Sequence, residues 1–241
     1  MLSIRFNGFG KCGDGSGASF FSYCGINLVC NDFLIIFFVE GRHKMVKQLN
    51  KVDKLIIVIH EIYGINQHMT NFCERLTEEG FDVICPNLLK HEQTFDYSEE
   101  EIAYQNFIKN VGFTDAVYKI KNVLVSIKKE YKKIYIIGFS IGATVAWLCS
   151  EEDDLDGIVG YYGSRIRDFK DIVPSSPTIL FFPQKEQSFD VNELISNLDK
   201  SNTEIHKFNG EHGFSDPYSP KYNEKSAEGA FDKMLDFIRK H

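Results

Sequence analysis

One stretch near the middle of the chain, Ile-Tyr-Ile-Ile-Gly-Phe-Ser-Ile-Gly-Ala at residues 134–143, most constrains what this sequence can fold into. An apolar, β-branched run leads into Gly-x-Ser-x-Gly, and small or helix-forming residues follow, which predicts a strand, a sharp turn and a helix. Glycines at 138 and 142 let the backbone pass close to a strained Ser140. The pattern predicts a serine hydroxyl exposed at the end of a central strand, although Gly-x-Ser-x-Gly alone also fits an ordinary glycine-tolerant loop.

Length and composition exclude several classes of protein. The chain has 241 residues, enough for one domain with a sizeable core, and 34 acidic residues outnumber 27 basic ones. Because no basic cluster dominates any segment, we expect no nucleic-acid partner. The longest apolar run, Phe33 to Val39, is too short to span a bilayer, so we expect no membrane association. The six cysteines lack paired spacing and are typical of reduced cysteines in a cytoplasmic protein.

Strands and helices are predicted to alternate from about residue 54 onward. This alternation indicates an α/β fold, with a mostly parallel central sheet covered by helices on both faces. Asn66 or Thr70 is predicted to open the first helix, and Ser98 to cap the second. We call the predicted strand, turn and helix around Ser140 the elbow. The other predicted strands are 54–60, 81–85, 155–162, 178–182 and 203–208, and the remaining helices end near 77, 109, 131, 199 and 239.

Residues 1–44 form an extension with two interpretations. Glycines are mixed with phenylalanines there without a steady period of 2 or 3.6, so the segment either adds N-terminal strands to the sheet or is dispensable. The second interpretation has the natural protein begin at Met45, because Glu40-Gly41-Arg42 can be encoded by purine-rich codons that resemble a bacterial ribosome-binding site. The remaining chain, residues 45–241, is predicted to form one α/β domain.

A serine nucleophile needs a histidine base, and the base needs an acid that fixes its tautomer. Behind such an elbow the acid and then the histidine follow along the chain, in loops after later strands. His206 falls inside a predicted strand and His241 is terminal, which leaves His212, flanked by glycines. The acid should follow the strand 178–182, where Glu186 is nearer the strand end than Asp190. Asp190 is the alternative acid, or else a cap for the next helix.

The remaining candidate residues lie at the ends of neighbouring strands. The N–H groups of Ile141 and Ile62 are predicted to bind the oxyanion formed when a carbonyl is attacked. Glu61 is either a second acid near the nucleophile or a solvated loop charge. His60-Glu61 is not a zinc motif, since no second histidine follows at helical spacing, and no metal or cofactor is expected. Tyr162 is expected to pack at a strand end and also to reach the pocket.

Taken together, five stretches resemble the dienelactone hydrolase family of α/β-hydrolases. They are His60-Glu61-Ile62-Tyr63-Gly64-Ile65-Asn66, Cys85-Pro86-Asn87-Leu88, Gly138 to Gly142, Val159 to Gly163, and Glu211-His212-Gly213-Phe214 with Tyr222. The resemblance runs from about Leu55 to the C-terminus. It implies a minimal α/β-hydrolase sheet without a large cap domain.

Two departures from the family pattern bear on the reaction. Founding members resemble this chain but carry cysteine where Ser140 stands, aspartate where Glu186 falls, and a glutamate at the Glu61 position that holds and releases the thiol proton. Those members also hold the substrate carboxylate with two arginines, and His91 and Asp216 occupy these positions here. Because Asp216 would repel a carboxylate, dienelactone itself is not the expected substrate.

The sequence therefore predicts a serine hydrolase that cleaves a small ester, lactone or thioester through an acyl-enzyme. The alternative is a non-catalytic ligand-binding member of the fold, and a weaker one is a transferase in which an alcohol replaces water. We expect a small-molecule substrate and a monomer or small homo-oligomer in the cytoplasm.

Overall fold

The computed structural model describes most of the chain, and the elements follow the predicted alternation. It describes residues 26–30, 33–40, 43–49, 52–90, 94–198 and 201–241. The strands are β1 (Ile26–Cys30), β2 (Phe33–Glu40), β3 (His43–Leu49), β4 (Lys54–Ile59), β5 (Asp82–Pro86), β6 (Lys133–Phe139), β7 (Gly157–Tyr161), β8 (Thr178–Pro183) and β9 (Thr203–Phe208). The helices are α1 (Gln67–Glu78), α2 (Glu100–Asn110), α3 (Gly112–Ile127), α4 (Ile141–Leu148), α5 (Val191–Asn197) and α6 (Glu224–Lys240), with 3₁₀ turns at Tyr97–Glu99 and Ser164–Asp168.

The nine strands form one sheet in the order β1-β2-β3-β5-β4-β6-β7-β8-β9. The six strands β4 to β9 are all parallel, so the carboxyl ends of β4, β6, β8 and β9 lie at the same edge. β3 joins β5 antiparallel, with Met45 opposite Pro86, and β2 and β1 continue the antiparallel edge. This arrangement is an α/β-hydrolase fold without a large cap, as the sequence predicted. β3 was not predicted.

Alternating side chains of the central strands build a core on each face of the sheet. Ile56 and Val58 of β4 pack with α1 and α6 on one face, while Ile57 and Ile59 pack with α2, α3 and α4 on the other. Such two-sided burial is typical of parallel sheets. No helix among the described residues has both the length and the apolar character needed to cross a bilayer.

Capping residues set the start of several helices, and one predicted cap is wrong. Of the two predicted openings of α1, Asn66 is the cap: its side chain accepts a hydrogen bond from the Met69 N–H at 3.1 Å. The prediction that Ser98 caps the second helix is wrong. Ser98 lies inside a 3₁₀ turn that Asp96 precedes, and the Glu99 carboxylate accepts from the Asp96 N–H at 2.9 Å.

The N-terminal extension is only partly described. Residues 1–25 lie outside the described residues, while β1 and β2 form an antiparallel pair. Met45 lies within β3, which pairs with β5 at the edge of the six parallel strands. Both interpretations of residues 1–44, and the domain boundary after them, stay predictions.

Candidate active site

Ser140 occupies the sharp turn between β6 and α4. Its backbone has φ 53° and ψ −113°, a conformation that a non-glycine residue adopts only under strain. A Cβ on Gly138 would lie 2.1 Å from the Gly142 carbonyl oxygen, and one on Gly142 would lie 2.3 Å from the Ile59 carbonyl oxygen. The two glycines therefore permit the close contact of α4 with β4 and β6 that presents the Ser140 side chain at the sheet edge.

His212 lies in the loop after β9 and reaches Ser140. Its Nε2 is 2.8 Å from Ser140 Oγ, and its Nδ1 is 2.8 Å from Glu186 Oε1. Because a carboxylate only accepts, Nδ1 carries the proton and donates to Glu186, which leaves Nε2 to accept the Ser140 hydroxyl. Gly213, with φ 86°, allows the tight turn that follows the histidine.

The two candidate acids have separate positions. Glu186 follows β8, and its side chain is 5% exposed and directed at His212. Asp190 instead caps α5, where its carboxylate accepts from the N–H groups of Asn192 at 2.7 Å and Glu193 at 3.2 Å. Of the two, Glu186 is therefore the carboxylate that contacts the histidine.

The predicted oxyanion donors flank the serine. Ile141 is the first residue of α4, where helical N–H groups have no partner within the helix. Ile62 lies in the loop after β4, and both residues line the same cavity as Ser140. This places two candidate donors beside the position that a reacting carbonyl would occupy.

His60 fixes the loop that carries Ile62, a role that the sequence analysis missed. Its Nδ1 lies 2.6 Å from the Glu61 carbonyl oxygen, and its Nε2 accepts from the Leu88 N–H at 2.8 Å. These partners require the neutral tautomer with the proton on Nδ1, and burial lowers the pKa of His60 to about 4. The sequence signal for this role was a histidine directly after the apolar residues of β4.

Glu61 is buried, so the interpretation of it as a solvated loop charge is wrong. The residue is 5% exposed. Burial, followed by the negative charge of Asp216, raises the pKa of the Glu61 carboxyl to about 7. The Glu61 carboxyl therefore keeps its proton to a higher pH than an exposed glutamate does.

Asp216 lies beside Glu61 in a network that the sequence analysis did not assemble. It is 1% exposed and accepts hydrogen bonds from the Tyr97 hydroxyl at 2.5 Å and the Tyr218 N–H at 2.9 Å. His68 Nδ1 is 3.6 Å from Asp216 Oδ2. The sequence signal that could have identified His68 as part of this network is its place as a polar residue on the apolar face of α1. The ligating atoms of Glu61, His68 and Asp216 all lie within 4.8 Å of one another, so this group could hold a cation.

Tyr162 and His91 were the other predicted pocket residues. Tyr162 is fully buried, has φ 42°, and donates to or accepts from the Ser215 hydroxyl at 3.1 Å. Its ring centre is 5.0 Å from that of His212, so it supports the histidine from behind. His91 lies outside the described residues.

Ser140, His212, Glu186 and Glu61 line a cavity of about 360 Å³, whereas Tyr162 is buried behind it and does not line it, in contrast to the prediction that it reaches the pocket. Its acidic lining residues are Glu61, Glu100, Glu101, Glu186 and Asp216, and the described lining also includes Lys221. Among the other basic residues, Arg165 contacts Asp168 and Tyr104, and Arg167 contacts the Ser164 carbonyl oxygen. Lys90 is exposed. None of these three lines the described part of the cavity.

Comparison with known proteins agrees with this architecture. The sequence profile of the Dienelactone hydrolase family matches residues 42–241. The chain is 41% identical over 188 residues to the uncharacterized protein YczH of Bacillus subtilis, covering 77% of this chain and 90% of that protein. A putative dienelactone hydrolase from Klebsiella pneumoniae superposes with a TM-score of 0.69 at 18% identity, covering 83% of this chain and 93% of that one. A cold-adapted esterase from an Arctic intertidal metagenomic library gives 0.71 at 14% identity, with 91% and 99% covered.

Proposed function

The chain belongs to the dienelactone hydrolase family of ester-cleaving hydrolases, and from this premise we propose that it is a serine hydrolase that forms an acyl-enzyme. Its substrate is a small ester, lactone or thioester. The observation that carries the proposal is the continuous hydrogen-bonded chain from Glu186 through His212 to Ser140, with both contacts at 2.8 Å.

The first half of the reaction acylates the serine. His212 Nε2 takes the Ser140 proton as Oγ attacks the substrate carbonyl carbon, and the carbonyl oxygen becomes an oxyanion. The N–H groups of Ile62 and Ile141 donate to that oxyanion. The tetrahedral intermediate collapses as the protonated His212 gives its proton to the leaving alcohol or thiol, and the ester bond to Ser140 remains.

The second half returns the enzyme to its starting state. Water replaces the leaving group, and His212 takes one of its protons as the hydroxide attacks the acyl carbon. Collapse of the second intermediate breaks the bond to Ser140 Oγ, which receives the proton from His212, and the acid is released. Glu186 holds the Nδ1 proton throughout and stabilises the imidazolium in both halves.

The alternative is a binding protein that retains the fold without catalysis. Only the open choice between Glu186 and Asp190 as the acid favours that alternative. The contact between Glu186 and His212, and the separate capping contact of Asp190, support the catalytic interpretation. The strained φ of Ser140 supports it as well, because strain at a buried turn commonly accompanies function.

Covalent labelling tests the proposal directly. A fluorophosphonate probe should label the purified protein but not Ser140→Ala, and Ser188→Ala, which changes another serine that lines the cavity, should be labelled like the natural protein. Turnover of 4-nitrophenyl acetate should show a burst of nitrophenol equal to the enzyme concentration. Labelling that persists in Ser140→Ala would remove Ser140 from the mechanism, and the absence of any labelling or turnover would favour the binding protein.

A further inference from the structure

Tyr162 has a strained backbone that the proposed reaction does not use. Among the described residues, only Ser140 and Tyr162 have a positive φ without being glycine, and the value at Tyr162 is 42°. A bulky aromatic residue rarely adopts this conformation, because its Cβ then crowds the backbone. Strained backbone persists only where the surrounding structure enforces it, and it concentrates at functional sites. Tyr162 does not line the cavity, so contact with a substrate does not account for its strain.

The backbone at Tyr162 lies against the nucleophile. The Tyr161 carbonyl oxygen, in the peptide group that joins Tyr161 to Tyr162, accepts a hydrogen bond from the Ser140 N–H at 2.9 Å. The Tyr162 N–H, in the same peptide group, donates to the Phe181 carbonyl oxygen of β8 at 2.7 Å. This single peptide group therefore ties the strained turn of the serine to β8.

The side chain of Tyr162 lies against the base. Its ring centre is 5.0 Å from that of His212 and 5.5 Å from that of Phe214. Its hydroxyl forms a hydrogen bond with the Ser215 hydroxyl at 3.1 Å. Ser215 lies in the same loop as His212, three residues further along the chain. The ring therefore limits the positions open to the imidazole, and the hydroxyl fixes the loop that carries it.

The hydroxyl of Tyr162 remains a neutral anchor through the neutral pH range. The residue is fully buried. Burial, followed by the negative charge of Glu61, raises the pKa of the Tyr162 phenol well above its ordinary value. The phenol therefore keeps its proton, and its hydrogen bond with Ser215 persists at every pH in that range.

We propose that Tyr162 is a positioning residue that fixes the distance between Ser140 Oγ and His212 Nε2. The inference rests on the proposed hydrolase function and deepens it. The serine and the histidine are 72 residues apart in the chain and belong to separate loops. The peptide group of Tyr162 holds the turn of the serine, and its side chain holds the histidine. A misplacement of about 1 Å between reacting groups can cost about 10²-fold in rate, so a residue that holds both is valuable.

Removal of the Tyr162 hydroxyl tests this role on the purified full chain. Tyr162→Phe keeps the ring and should lower kcat for 4-nitrophenyl acetate by about tenfold, while KM stays within about twofold because the residue does not line the cavity. In the matched control Tyr135→Phe, kcat should stay within about twofold. Tyr135 is also fully buried, but its hydroxyl makes no hydrogen bond among the described residues. Expressing kcat per site labelled by the fluorophosphonate probe corrects for unfolded protein.

A second variant identifies the contact that transmits the effect. Ser215→Ala removes the same hydrogen bond from its other side, so it should lower kcat by about as much as Tyr162→Phe. The double variant should be within about twofold of either single variant, since all three lack one and the same contact. Losses that multiply in the double variant would show that the two hydroxyls act separately, and would overturn the inference.

The position of His212 can also be measured without catalysis. In protein that carries ¹³C-labelled histidine, the Cε1 signal of His212 is the one that disappears in His212→Gln. Tyr162→Phe should broaden or double this signal as the imidazole samples additional positions. Tyr135→Phe should leave the signal as it is in the natural protein.

The outcomes separate this inference from the proposed function. Hydrolysis that depends on Ser140, but that Tyr162→Phe slows no more than Tyr135→Phe, overturns the positioning role and leaves the hydrolase in place. A rise in KM at constant kcat also overturns it, because Tyr162 would then act on substrate binding. If the natural protein neither hydrolyses the ester nor reacts with the probe, the hydrolase fails and the His212 signal decides. A change confined to Tyr162→Phe then supports the positioning role, and an unchanged signal overturns it.

Discussion

Two walls of one cavity differ in how their charged groups are satisfied. On the wall of Ser140, the Glu186 carboxylate has its partner in His212 and the serine has a base, so every group is paired within the protein. On the wall of Glu61, the two carboxylates of Glu61 and Asp216 are buried, the ring of His68 lies buried behind them, and none of the described lysines or arginines pairs with either carboxylate. The first wall is complete within the protein, whereas the second keeps two buried carboxylates without a positively charged partner.

The two walls therefore have different tasks: the paired wall serves the reaction, and the unpaired wall serves the choice of substrate. A paired wall holds reacting groups in fixed positions, which lowers the barrier for any substrate that fits. An unpaired wall discriminates strongly, because a ligand without the matching group leaves buried polar atoms unsatisfied. Substitutions on the two walls should therefore have different signatures.

The largest effect is expected from the base of the paired wall. His212→Ala should reduce kcat for 4-nitrophenyl acetate by about 10³-fold or more, because the Ser140 hydroxyl then has no proton acceptor. His206→Ala, in neighbouring strand β9, should retain activity within about twofold, since its ring contacts Glu204 rather than the serine. Comparable losses in both variants would contradict the assignment of the base.

A loss of similar or smaller size should distinguish the two acids. Glu186→Gln keeps the size of the side chain but removes its charge, so kcat should fall by about 10² to 10⁴-fold as His212 loses its fixed tautomer. Asp190→Asn, a change of the same kind at the α5 cap, should leave kcat within about twofold because asparagine also caps helices. Steady-state kinetics checks both, and the reverse order would make Asp190 the acid.

Substitution of Glu61 in the unpaired wall is expected to change the free energy of unfolding. Burial raises the pKa of the Glu61 carboxyl from its ordinary value of 4.5 to about 7 in the folded protein. Between these two pH values, the folded protein keeps a proton that the unfolded chain has released. This residue therefore costs stability as the pH rises through that window, by about 3 kcal/mol in total.

Glu61→Gln removes this cost, so its free energy of unfolding relative to the natural protein should increase by about 3 kcal/mol between pH 4 and pH 8. Urea titrations at both pH values measure the difference. Glu193→Gln, at an exposed site on α5, serves as the control and should show a difference that hardly changes with pH. A pH-independent difference for Glu61→Gln would mean that the carboxyl is ionised without penalty.

The smallest effect concerns the strained turn of the paired wall. Glycine tolerates φ 53° whereas alanine does not, so Ser140→Gly should be more stable than Ser140→Ala by about 1 kcal/mol, the reverse of the usual order. Denaturant titrations compare the two variants, which both lack the hydroxyl. Greater stability of the alanine variant would show that the turn is unstrained.

The parallel part of the fold was predictable because its strands are locally distinctive. Apolar runs followed by or containing glycine, proline or histidine mark β4 to β8. The more polar strand β9 was also predicted, with its bounds at Thr203 and Phe208. β3 was missed because Lys44, Lys47 and Gln48 interrupt its apolar pattern, and its place depends on pairing with β5, a contact between distant residues. The 3₁₀ turn before α2 was missed because Ser98 is also a common cap.

The paired wall was predictable for a similar reason, since chain order and the elbow motif identify Ser140 and His212. The choice of Glu186 over Asp190 depended on distance along the chain, and only the fold shows which carboxylate faces the histidine. The unpaired wall was not assembled, because His68 and Asp216 come from α1 and the loop after β9, and nothing in sequence spacing brings them together.

The link between His60 and Leu88 has a consequence for how this protein can diversify. It joins the loop after β4 to the chain directly after β5, so the segment that covers the cavity begins only beyond that anchor. Within residues 94–110, Ala103 and Phe107 are buried in the core, whereas Glu100, Glu101 and Tyr104 line the cavity. Substitution of these cavity-lining residues would therefore change what the cavity accepts while the anchored loop keeps Ile62 beside Ser140.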